Sequence, residues 1–205
     1  MTASHPSLVV FDLDGVLVAY DRHGRIAHLG TALRREPERV QAALFGPTQL
    51  EDRYDAGTLS TDEYLSELSD ALDCHVDRPT WTAARIASMH CPVDTCLRVA
   101  SLAHRCEVAI LSNNGALVAD ILPHAIPALF PTFENRVFCS GLLGASKPSP
   151  DAFLRVVERL GHAPQHTLFL DDNFDNVEGA RGAGLYAEHV AQPGHFDAIL
   201  ACYNL

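Results

Sequence analysis

No apolar stretch in these 205 residues approaches the ~20 needed to cross a bilayer. Met1 to Ser7 carry no basic segment leading into an apolar signal core, so neither membrane insertion nor secretion is expected. Positive charge is scarce: 15 Lys and Arg stand against 26 Asp and Glu. The net charge of -11 argues against a nucleic-acid backbone as partner, because such binding needs clustered cations. A small anionic partner would then need a local positive site. The six cysteines (Cys74, Cys91, Cys96, Cys106, Cys139 and Cys202) include no C-x-x-C pair, so zinc is not indicated and reduced thiols in a cytoplasm are expected. The eleven histidines are scattered from His5 to His195 without a ligand cluster, and Pro164 between His162 and His166 keeps that pair off one helical face. There is no internal repeat and no low-complexity linker. What remains is 47% hydrophobic content, enough for one core plus a smaller appendage in a globular protein.

The most informative segment is the apolar run Leu8 to Phe11, which leads directly into Asp12-Leu13-Asp14-Gly15. Residues two apart on an extended chain project to one side. Asp12 and Asp14 are therefore expected to reach a ligand together at a strand's C-terminal edge, with Gly15 turning the chain. Asp and Gly are also ordinary turn formers, so the rest of the sequence must supply what two adjacent carboxylates need: a metal ion, other cations or amide donors.

From Ala19 to about Met89 no buried strand run occurs, and the segment reads as a small helical insertion. Glu38 to Phe45 forms one helix, ended by Gly46-Pro47. Ser60, three positions before Glu63, has capping-box spacing ahead of a stripe of Tyr64, Leu65, Leu68 and Leu72. Pro79 to Met89 reads as another helix, carrying Trp81 and Ile86.

From Pro92 onward, helices alternate with short apolar strands. Helices are expected over Leu97 to His104, Ala116 to Leu122, Pro150 to Leu160 and Val177 to Ala183. Strands are expected over Val108 to Leu111, Val137 to Cys139, Thr167 to Leu170 and Leu185 to Glu188, and Phe196, Ile199 and Leu200 can dock a final short helix. This alternation predicts an α/β fold, a Rossmann-like, doubly wound parallel sheet with helices on both faces. Residues 1–18 and 90–205 would form that core, with residues 19–89 as the insertion. Ligands bind beyond the carboxyl ends of such strands. Three strands end in polar groups: Asp12 and Asp14, Ser112 and Asn113, then Asp171 and Asp172.

Four acids at two strand ends suit a hard divalent cation, Mg2+ first. One carboxylate can attack phosphorus and form an aspartyl-phosphate, while a second protonates the leaving oxygen and later deprotonates water. The charge on a transferring phosphoryl group calls for donors as well. Ser112, the backbone amide of Asn113 and the ammonium of Lys147, within Ser146-Lys147-Pro148, can provide them.

Together, Asp12-Leu13-Asp14-Gly15-Val16, Leu111-Ser112-Asn113-Asn114, Ser146-Lys147-Pro148 and Leu170-Asp171-Asp172-Asn173 resemble the four motifs of the haloacid dehalogenase-like (HAD) hydrolase superfamily. The insertion falls where that superfamily places a helical cap. Tyr54 to Ser60 with Asp62-Glu63-Tyr64, and the stretch Asp171 to Ala180, are similar to members related to bacterial glucose-1-phosphate phosphatases. The phosphatase domain of soluble epoxide hydrolase shares much of the pattern.

The resemblance implies a Mg2+-dependent phosphatase acting on a small phosphorylated metabolite, such as a sugar phosphate. Asp12 would be the nucleophile and Asp14 the general acid/base, the latter also lending its backbone carbonyl to the metal. Ser112, Asn113 and Lys147 would bind phosphate, Asp172 would ligate Mg2+ directly, and Asp171 would orient a metal-bound water, with Asp175 competing for a supporting part. Some members of the related subgroup lack an acid at the position of Asp14, so its presence favours phosphatase chemistry while weakening any transfer of substrate identity. Arg34, Arg35, Arg53 and Tyr54 are candidates to face the site from the cap, although surface solvation is the stronger expectation for most of them.

The rival readings are a 2-haloacid dehalogenase, which needs neither Mg2+ nor a proton donor, a phosphomutase similar to β-phosphoglucomutase, and a catalytically silent binding protein on the same fold. Asp14, Asp171 and Asp172 count against the first. Retention of both the nucleophile and the metal acids counts against the last. The sequence carries nothing on oligomeric state.

Overall fold

The computed structural model describes residues 5–205; the start of the expected core segment, residues 1–4, lies outside them. Five parallel strands form the central sheet in the order β5-β4-β1-β6-β7: β1 (Leu8–Phe11), β4 (Glu107–Ser112), β5 (Val137–Cys139), β6 (Thr167–Asp171) and β7 (Tyr186–His189). The strand β1 is central and buried on both faces, which is why its sequence is a continuous apolar run rather than an alternating one. Val9 and Phe11 pack with Val99 and Leu102 of α6 (Val93–Leu102) and with Leu117 and Ile121 of α7 (Ala116–Ala125). Leu8 and Val10 face the opposite layer, with Phe153 and Val156 of α9 (Pro150–Arg159) and Val177 and Ala180 of α10 (Phe174–Gly182). Each such side chain contributes about 1.5–3 kcal/mol on burial.

Between β1 and β4 the chain leaves the sheet through β2 (Ala19–Tyr20), runs through α1 (Arg22–Leu33), α2 (Pro37–Phe45), α3 (Leu50–Asp55), α4 (Thr61–Leu72) and α5 (Arg78–Ala87), and returns through β3 (Met89–His90). The strands β2 and β3 pair antiparallel, Ala19 with His90 and Tyr20 with Met89. This ribbon was not expected from the sequence, because two-residue strands carry no readable period. The capping box at α4 is present: Glu63 N–H donates to Ser60 Oγ at 3.2 Å and Ser60 N–H to Glu63 Oε2 at 2.8 Å. Ile26, Leu29, Leu44, Leu68 and Trp81 of the insertion join the same apolar cluster as Val9 and Phe11, so insertion and sheet share one core.

Two helices start earlier than their apolar stripes suggest, α6 at Val93 and α10 at Phe174, since Pro92 and Asn173 set their N-caps. A short α8 (Ser140–Leu143) follows β5, and α11 (Asp197–Cys202) closes the chain. All six cysteines are free; Cys91 and Cys96 lie closest, Sγ to Sγ 3.3 Å, where the insertion returns to the sheet. Among the described residues no helix is long and apolar enough to cross a membrane.

Candidate active site

Register brings the polar strand ends together. Phe11 pairs with Ile110 on one side and Leu170 on the other, so Asp12, one residue on, emerges beside Asp171 and just short of Ser112. Carboxylate oxygens of Asp12, Asp171 and Asp172 lie within 4.8 Å of one another. Lys147, on the loop before α9, enters between two of them, Nζ 2.7 Å from Asp12 Oδ1 and 2.6 Å from Asp171 Oδ2. Burial works against the Lys147 charge, but Asp12 and Asp171 outweigh it and hold the ammonium above its usual range. For Asp12 burial dominates. It pushes the carboxyl up to about 7 against the pull of Lys147, and Asp171 and Asp14 push the same way.

Asp171 is fully buried and its oxygens are taken: besides Lys147, Asn173 N–H donates to Oδ1 at 2.8 Å and Asn176 Nδ2 reaches both oxygens at 3.1 Å. Asn176 therefore occupies the supporting place expected of Asp175, which is exposed on α10 and directs only its backbone N–H to Asn173. Asp172 is the solvent-facing member of the trio. Gly15 lies against it. At φ +93°, a Cβ there would come within 2.2 Å of Asp172 Oδ2, so both the turn and the approach require glycine. An all-oxygen donor set with one open carboxylate fits a hard divalent cation.

Asp14 does not share a strand face with Asp12. The extended chain ends at Asp12, and Leu13 to Val18 fold into a tight loop in which Leu17 and Val18 N–H donate to Leu13 O and Gly15 N–H to Val18 O. Asp14 thereby turns to different partners. Its Oδ2 accepts from Arg85 Nη2 at 2.5 Å and from Asn114 Nδ2 at 3.1 Å. Asn114 Nδ2 also donates to Ser112 Oγ at 2.7 Å, leaving the Ser112 hydroxyl hydrogen free to donate onward. The Asn113 side chain is spent on Lys147, exchanging hydrogen bonds with its backbone N–H (2.9 Å) and carbonyl (2.8 Å).

Arg85 was missed in the sequence. The readable signal was its place four residues after Trp81, which sets a charge on the apolar stripe of α5. Its side chain is 1% exposed, and its guanidinium lies 4.0 Å over the Tyr20 ring. Behind it, Arg25 pairs with Glu51, Tyr64 OH donates to Glu51 at 2.6 Å, and Trp81 Nε1 donates to Tyr64 OH at 2.9 Å. Burial opposes ionisation of Glu51, yet Arg25 and these hydrogen bonds hold it below the usual carboxylate range.

None of the four cap candidates named above contacts the acidic cluster. Arg34 is exposed, Arg35 caps the carbonyls of Leu72 and Asp73, and Arg53 forms a two-point pair with Glu67 at 2.7 and 2.9 Å. Tyr54 is buried at the seam, where its OH accepts from Leu117 N–H at 3.0 Å. A hollow of about 320 Å³ opens beside the site, lined by Asp14, Gly15, Ala19, Tyr20, Asp172 and Pro193. A larger one of about 970 Å³ lies at the sheet's opposite edge around Ser7, Glu107, Arg136 and His162, and holds none of the clustered acids.

The sequence model of the haloacid dehalogenase-like hydrolase family matches residues 6–184. Phosphatase MT3486 of Mycobacterium tuberculosis (strain CDC 1551 / Oshkosh) is 30% identical over 197 residues, covering 92% of this chain and 88% of the relative. Among solved structures, a predicted HAD-like family hydrolase from Porphyromonas gingivalis superposes with a TM-score of 0.81 at 24% identity, covering 97% of each chain. The HAD family enzyme BT-2542 of Bacteroides thetaiotaomicron, in complex with magnesium and inorganic phosphate, gives 0.73 at 23% identity, covering 90% of this chain and 93% of that one.

Proposed function

Because the chain belongs to the haloacid dehalogenase-like hydrolases, we propose that it is a Mg2+-dependent phosphatase hydrolysing a small phosphate monoester through an aspartyl-phosphate on Asp12. The observation that carries this reading is Asp12 itself, a buried carboxylate at a strand end, 2.7 Å from the Lys147 ammonium and within metal-ligand reach of Asp171 and Asp172. The relative from M. tuberculosis, a phosphatase by name, supports the same reaction class.

A carboxylate oxygen of Asp12 forms the bond to phosphorus as the bond to the leaving oxygen breaks. Asp14 gives that oxygen its proton. Asp14 then takes a proton from water, which attacks phosphorus, releases inorganic phosphate and restores the Asp12 carboxylate. The Ser112 hydroxyl, the Asn113 backbone N–H and Lys147 hold the phosphoryl oxygens and offset their charge. Asp12 and Asp172, with the Asp14 carbonyl, would hold Mg2+, and Asp171 would support them; the cation supplies charge neutralisation between nucleophile and phosphate. Residues 19–89 act as a cap over the core of 1–18 and 90–205, and the hollow of about 320 Å³ between β2 and Asp172 favours a small metabolite.

The test is hydrolysis of p-nitrophenyl phosphate and a panel of sugar phosphates, phosphoglycolate and nucleotides, with Mg2+ and with EDTA. Turnover that needs Mg2+ and disappears in Asp12→Asn, with the circular dichroism spectrum unchanged, is the expected result. No metal-dependent turnover on any ester, or an Asp12→Asn variant as active as the wild type, sinks the reading.

A further inference from the structure

We propose that Arg85 is a positioning residue for the reaction: from the cap it fixes the orientation of the Asp14 carboxylate, so that proton transfer to the leaving group depends on α5 being seated against the core. The proposal rests on the phosphatase reading and on Asp14 as its proton carrier. Four features of the geometry lead to it.

The first is the contact itself, Nη2 to Oδ2 at 2.5 Å, made by a side chain sealed from solvent and separated from Asp14 by 71 positions in sequence. The second is that Oδ2 has a further donor, Asn114 Nδ2 at 3.1 Å from the loop after β4. Two donors from different elements on one oxygen remove the rotation a free carboxylate would have, and pre-orientation of this kind is what a proton donor needs. The third is that Arg85 is itself held, stacked over Tyr20 of the outgoing connector β2. A planar guanidinium keeps its direction in such a setting.

The fourth is what the pair leaves unmet. Asp14 Oδ1 and Arg85 Nη1 are both buried without a partner. Buried polar atoms are nearly always paired, and here a spare acceptor and a spare donor sit on the same ion pair beside the hollow that Asp14 lines. A leaving-group oxygen entering the hollow meets Asp14, which lines it, whereas Arg85 does not. With Nη2 committed to Asp14, Arg85 acts through that carboxylate rather than as a separate phosphate ligand.

The experiment uses aryl phosphates of one shape and falling leaving-group acidity: p-nitrophenyl, phenyl and p-methoxyphenyl phosphate, with Mg2+. Poorer leaving groups depend more on a proton donor. In Arg85→Met the ratio of kcat on p-nitrophenyl phosphate to kcat on phenyl phosphate should rise by about tenfold over wild type, within the range general acid catalysis supplies, and Arg85→Lys should recover part of it. In an Asp14→Asn background, Arg85→Met should change the ratio no further. A uniform loss across the three esters, or a ratio that still shifts in the Asp14→Asn background, overturns the assignment and leaves the phosphatase reading standing. No turnover by the wild type overturns both. Should Arg85→Met fail to fold by circular dichroism, Arg85→Lys and Arg85→Gln carry the same comparison.

Discussion

Lys147 Nζ stands 2.7 Å from Asp12 Oδ1, with the two side chains only 1% and 10% exposed. The same ammonium is 2.6 Å from Asp171, so one cation balances two buried carboxylates. Lys147→Met should therefore damage both stability and chemistry. Removing one partner of a buried ion pair costs about 3–5 kcal/mol, and losing one preorganised donor lowers kcat about 10²–10³-fold. Urea melts and kcat on p-nitrophenyl phosphate check the two losses; a variant with wild-type stability would show that the two acids do not need the lysine.

Asp172 is the open member of the acidic trio. Asp172→Asn should raise the Mg2+ concentration for half-maximal activity at least about tenfold. Thermal melts give a readout without turnover. Mg2+ at 100 times its Kd should add about 2.7 kcal/mol to the wild type, and the same concentration should add markedly less to Asp172→Asn. Equal shifts in both proteins would place the cation elsewhere.

Gly115, at the start of α7, meets the inserted helices face to face: a Cβ there would come within 2.1 Å of the Tyr54 ring. That ring cannot yield easily, being stacked on Tyr64 at 4.1 Å and anchored through its OH by Leu117 N–H. Gly115→Ala is expected to cost about 1–3 kcal/mol, lowering Tm by about 2–4 °C for each kcal/mol in a chain of this size. Tyr54→Leu should relieve part of that cost in the double variant; strict additivity would argue against the clash.

Asp55 ties the end of α3 to the same loop by accepting from Gly115 N–H at 2.7 Å. Burial first, then Glu51, raises its carboxyl from 3.8 to about 8, against Gly115, Arg25 and Arg85. An acid raised on folding binds more protons in the folded state. Its contribution is thus complete below about pH 4 and is lost as pH rises through about 8. Asp55→Asn cannot titrate, so its Tm relative to wild type should climb between pH 5 and pH 8. A constant difference across that range would rule the titration out.

Much of the site was legible because it sits where strands stop. Asp12, Ser112 and Asp171 each directly follow an apolar run, with Asp172 one position further, and parallel register then aligns such ends. Contacts made across the fold were less legible. The shared strand face expected to carry Asp12 and Asp14 is absent, because the chain leaves the strand after Asp12 and the Leu13 carbonyl captures Leu17 and Val18. Asn176, rather than Asp175, supports Asp171 because the first turn of α10 directs its buried side toward the strand end.

The sequence alone determined the α/β alternation, the insertion after the first strand and the identity of the acids at the strand ends. These depend on local periodicity and on residues at the ends of runs, which a linear reading captures. Only the tertiary structure decided which cation faces which acid: Lys147 between Asp12 and Asp171, and Arg85 on Asp14. Those pairings join residues far apart in the chain, and no spacing rule encodes them. They are set by how α5 packs against the core and by where the loop before α9 enters the sheet edge.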